Sequence, residues 1–108
     1  MPKISKVRRY EDLEFWAEGG CVVVIDNRTG DLHVLPVRDW LERLLELNRG
    51  NSREAYPDRR VRLATAVDDG IAVAKEAKAQ GDPLDPRTTA QRVKQRRRHM
   101  LFPTGVLT

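Results

Sequence analysis

The sequence predicts a small, mostly helical α+β domain with one antiparallel β-hairpin and a protruding basic C-terminal helix. Three observations predict it. A β-branched run, Cys21-Val22-Val23-Val24-Ile25, is joined by a turn-forming segment to a second apolar run, Leu32 to Val37. An amphipathic stretch with a wide leucine face follows directly. The last 24 residues then carry six basic side chains against Asp85 alone, in a stretch opened by Asp85-Pro86. At 108 residues the chain has room for one modest core and not for a second domain.

In order, residues 1–9 read as a basic N-terminal arm, with Lys3, Lys6, Arg8 and Arg9 and no acid. Residues 10–81 read as the compact domain. Its first element, Tyr10 to Glu18, places Tyr10, Leu13 and Ala17 at helical spacing before Gly19-Gly20, a C-terminal stop, and a short helix is favoured. The alternative is a strand turned back by Gly-Gly, because Leu13, Phe15 and Ala17 also alternate with Glu14 and Glu18. The hairpin covers 21–37. Asn27 and Gly30 tolerate positive φ in its turn, and Pro36, which cannot donate to a ladder, makes the second strand an edge or ends it.

A helix over 38–49 gathers Trp40, Leu41, Leu44, Leu45 and Leu47 on one side and stops at Gly50. Pro57-Asp58 starts a second helix over 57–80, whose stripe of Leu63, Val67, Ile71, Ala74 and Ala77 is thin and which Gly70 bends or breaks. Residues 82–108 form the basic helix and an apolar tail, with Asp85 as cap and Pro86 in the first turn.

Charge is the main indicator of function. The net charge of +4 hides segregation: +4 in residues 1–9, +5 from Asp85 onward, and −5 between, where ten basic residues face fifteen acidic ones. Arg87, Arg92, Lys94, Arg96, Arg97 and Arg98 cover most of the circumference of the last helix, which an ordinary core cannot accept without compensating each charge. Arginine forks fit phosphates with paired hydrogen bonds. The expectation is therefore a non-enzymatic binding protein that contacts nucleic-acid phosphates through Arg87, Arg92, Lys94, Arg96, Arg97 and Arg98, with Lys3, Lys6, Arg8 and Arg9 as a second grip. The alternatives are an assembly or adaptor protein whose basic end docks on a neighbouring subunit or another acidic protein surface, as a homo-oligomer or part of a larger particle, and an inhibitor of a nucleic-acid-binding protein.

No enzyme is expected. His33 and His99 have no Ser, Cys or carboxylate at a spacing that suggests a nucleophile and its base, and Cys21, opening an apolar strand, reads as an inert thiol. Asp26, Asn27 and Asp31 lack the order of a calcium loop, no Gly-rich phosphate loop occurs, and no cofactor, metal or small-molecule substrate is expected. Trp16 and Trp40 belong to the core. Exposed rings beside arginine, as base stacking requires, are approached only by Tyr10 and Phe102. One cysteine, no apolar leader and no membrane-length apolar run point to a cytoplasmic protein, or one within an intracellularly assembled particle.

Overall fold

A computed structural model describes residues 4–101 of the chain; for residues 98–101 it describes the backbone alone. Four antiparallel strands, β1 (Arg8–Tyr10), β2 (Leu13–Glu18), β3 (Cys21–Asp26) and β4 (Leu32–Leu35), form a meander in the order β1-β2-β3-β4. Three helices follow: α1 (Val37–Asn51), α2 (Pro57–Ala79) and α3 (Pro86–Leu101). The α+β class, the hairpin and the three helices stand as the sequence predicts, and β4 is an edge strand that ends one residue before Pro36.

Residues 13–18 are a strand, not the favoured helix. Phe15 pairs with Val24 and Ala17 with Val22 on one sheet face, while Trp16 pairs with Val23 and Glu18 with Cys21 on the other. Both faces are covered, so the segment carries two apolar sides, and a helical stripe describes neither of them. Gly19 and Gly20, at φ of +62° and +76°, close the two-residue turn whose twist matches the strands. The expected N-terminal arm is also structured from Ile4 onward. Ile4 bridges to Glu18, Ser5 exchanges hydrogen bonds with the Ala17 backbone, and Arg8 to Tyr10 add a strand to β2.

The sheet lies between two helical layers. On one face Phe15, Ala17, Val22 and Val24 pack with Trp40 and Leu44 of α1 and with Val73, Ala74 and Ala77 of α2. On the other, Trp16, Val23 and Ile25 pack with Val93 of α3. Gly70 does not break α2. It is the crossing point with α1, where a Cβ would stand 2.4 Å from Leu44 Cδ2, and its carbonyl accepts a 2.9 Å hydrogen bond from Trp40 Nε1. This close approach rotates the helix relative to the expected stripe: Ala66, Gly70, Val73, Ala74 and Ala77 are buried, and Ile71 is exposed.

The chain passes from one layer to the other around the β2–β3 turn. Gln80 Nε2 donates to the Ala17 carbonyl, its Oε1 accepts from Gly20 N–H, and Leu84 N–H donates to the Gly19 carbonyl. A Cβ on Gly20 would meet Pro83 Cα at 2.7 Å. Gly20→Ala therefore combines a left-handed backbone cost with a clash against main chain, and is expected to lose about 2–4 kcal/mol in chemical denaturation. An unchanged midpoint would contradict this packing of the turn.

Candidate anion-binding interface

Asp85 caps α3 as expected: its Oδ1 accepts from Arg87 N–H at 2.9 Å, and its carbonyl accepts from Thr88 N–H. From this start the helical period divides the side chains into two sets. Thr89, Val93 and Arg96 point to the sheet, with Thr89 and Val93 fully buried and Ala90 and Arg97 half-buried. Arg87, Arg92 and Lys94 point to solvent.

Arg96 is engaged within the fold. Glu18, 1% exposed, takes both ends of its guanidinium fork, Nη2 to Oε1 at 2.8 Å and Nη1 to Oε2 at 3.1 Å, and Oε1 also accepts from Trp16 Nε1 at 2.8 Å. These hydrogen bonds hold the guanidinium pKa above its ordinary value, against the effect of burial. A carboxylate with two charged donors and an indole donor is satisfied, which is what allows it to sit beneath a helix. Arg8 is engaged in the same way on the opposite face. Its fork meets Glu76 of α2 at 2.8 and 2.9 Å, with Asp69 at 4.0 Å, and the Arg8 hydrogen bonds hold the Glu76 carboxyl below its ordinary value.

Two of the expected phosphate contacts, Arg8 and Arg96, are thus corrected to internal partners, because each has a carboxylate within bonding distance. Arg9 leans on Glu14 at 3.3 Å but stays 75% exposed, and Lys6 is exposed. Arg87, Arg92 and Lys94 form the solvent side of α3, with no ion-pair partner among the described residues. Lys3, the side chain of Arg98, and Phe102 with the apolar tail lie outside the described residues.

A second basic surface was not anticipated. Where α1 passes to α2, Arg53, Arg59, Arg60 and Arg62 are all exposed, again with no ion-pair partner among the described residues. Tyr56 stands among them at 64% exposure, with the Arg59 guanidinium 5.3 Å from its ring centroid. The spacing of these arginines was readable in the sequence, but averaging over the acidic middle concealed it.

Elsewhere, His33 sits exposed at the rim of a cavity of about 270 Å³ floored by Phe15, Trp40 and Leu44, with Asp26 and Arg43 also at its edge. Cys21 is buried, its Sγ donates to the Leu84 carbonyl at 3.8 Å, and burial pushes the thiol pKa up. Among the described residues no three His, Cys, Asp or Glu side chains gather as a metal site, and no helix is long and apolar enough to cross a membrane. No family model matches the chain, and neither a curated protein nor a solved structure does.

Two outcomes follow from the paired carboxylates. Arg96→Ala strands a buried charge and is expected to cost about 2–3 kcal/mol, somewhat below the ~3–5 kcal/mol of a fully buried pair because Arg96 keeps one side in water. The double variant Glu18→Gln with Arg96→Met removes both charges and should lose less; a double variant as unstable as the single one contradicts the account. For Glu76, a folded-state pKa depressed below its ordinary 4.5 gives stability that is present above that value and lost as pH falls through the folded one. Thermal stability should decline on that acid limb, and Glu76→Gln should flatten the decline. A limb unaltered by the substitution would remove Arg8–Glu76 from the account.

Proposed function

We propose that this protein binds nucleic acid without catalysis, through the solvent side of α3. The observation that carries the reading is the division of labour on that helix. Arg96 anchors it to Glu18, so Arg87, Arg92 and Lys94 are presented from a seated helix and not from a tail. Cations on a backbone that is already ordered lose little backbone entropy on binding, and Arg87 and Lys94 on one flank of the solvent side with Arg92 on the other reach phosphates on either side of the helix. The arginines supply forks for phosphate oxygens, and Lys94 a point charge.

Affinity measured by fluorescence anisotropy across a salt series tests this. A log-log slope set by phosphate contacts is expected, and replacing Arg87, Arg92 and Lys94 together by alanine should reduce its magnitude by about 2.7 on duplex DNA, at about 0.9 per contact. A slope unchanged in that variant would take α3 out of the interface.

The assembly reading has one observation in its favour. Leu41, Leu45 and Ile71 leave an exposed apolar groove between α1 and α2, which Arg38 and Glu42 of α1 and Asp68 of α2 also line. A second copy of the chain, turned about a two-fold axis, would bury its own Leu41, Leu45 and Ile71 against these. A defined oligomer that survives nuclease treatment in light scattering, and that Leu45→Asp dissociates, would favour assembly; a monomer would favour the simple binder.

A further inference from the structure

We infer that the junction between α1 and α2 is a second nucleic-acid contact, specific for single strands, in which Tyr56 is a stacking platform for an unpaired base and Arg53, Arg59 and Arg60 hold the flanking phosphates. It shares its ligand class with the reading for α3 but rests on different residues and a different element.

The placement of Tyr56 follows from the backbone. It is the residue before α2, in an extended conformation (φ −93°, ψ 119°), with Pro57 next to it, a residue that disfavours helical geometry in the one before. Its N–H donates to Glu54 Oε1 at 3.3 Å, which ties the junction to itself. The ring is thereby held outside the core at 64% exposure. Arg59, three residues on and one helical turn away, lies over the ring, which stays mostly in water.

A ring 64% exposed contributes little burial to the core. Backed by a guanidinium, with Arg53, Arg59 and Arg60 around it outnumbering Glu54 and Asp58, it has the composition that single-strand sites use, because every base offers a π-face and every step a phosphate. An acidic peptide would need the cations and not the ring. A duplex presents its base faces only to each other, so the ring has nothing to stack on there. The surface continues toward β1, where Arg62 and exposed Arg9 line one depression together with Glu11 and Asp69.

The test uses the full chain, a labelled oligothymidylate and a labelled duplex, with binding followed by anisotropy. Tyr56→Ala is expected to weaken the single strand roughly tenfold or more, the effect of losing one stacked base, and to leave duplex affinity unchanged. Tyr56→Phe should bind as the parent does. The Tyr56→Ala loss should persist when Arg87, Arg92 and Lys94 are also replaced, which separates this contact from the one on α3. No loss with Tyr56→Ala, an equal loss on duplex, or a Tyr56→Phe variant as weak as the alanine would each overturn the inference. So would an oligoglutamate peptide that binds with the same dependence on Tyr56, which would assign the surface to acidic proteins. A parent protein that binds neither strand form overturns this inference and the α3 reading together, whereas loss confined to the α3 variant overturns this one alone.

Discussion

The structure depends on one buried carboxylate. Glu18 closes β2 just before the Gly19-Gly20 turn, on the sheet face opposite α1 and α2, and it is satisfied only because Arg96 reaches it from α3 and Trp16 donates from two residues away. An isolated carboxylate there would keep its water, and that face of the sheet would stay open. With the fork in place, Val93 and Thr89 can bury beside it, and Trp16, Val23 and Ile25 gain a cover. A side chain the size of Val93 contributes roughly 1.5 kcal/mol or more by leaving water, so the pair and the apolar contact support each other. Neither alone would hold so basic a helix against a sheet.

The same chemistry works on the opposite face, where Arg8 meets Glu76. The segregated charge of the sequence is thus partly resolved within one molecule: cations from both termini fold onto acids of the middle. The sheet carries an arginine fork on each side, one tying β1 to α2 and the other tying α3 to β2. Among the described residues, cations without an ion-pair partner cluster on the outward side of α3 and at the α1–α2 junction, with others, such as Arg28, Arg43 and Lys75, scattered over the surface. Charge that the fold does not use is the charge with a function to explain, and its distribution differs from the distribution along the chain.

Much of this was legible from local chemistry. The hairpin at 21–37 follows from β-branched runs around a turn segment, α1 from its leucine face, and the start of α3 from Asp85-Pro86, because each signal is complete within a few neighbouring residues. Residues 13–18 were not legible for the opposite reason. Glu18 reads as the polar half of an alternation, and only the presence of Arg96, 78 residues away, makes it a buried position. Gly70 likewise reads as a helix breaker until Leu44 stands against it. Of the candidate site, the basic character of α3 was legible and its division into an anchoring and an outward side was not, since that division is set by where the sheet lies. The junction arginines were legible residue by residue, but summed charge over a long acidic segment hid them, and the exposure of Tyr56 is a property of the fold.

Whether α3 is seated or free decides between a presented surface and a charged tail, and native-state hydrogen exchange measures it directly. With Glu18 and Arg96 paired, the amides of α3 around Val93 should be protected to nearly the free energy of β2 and β3, in the absence of any nucleic acid. Exchange of those amides at the rate of a frayed helix, with the sheet still protected, would mean that the pair does not hold α3 and would contradict the account at its centre.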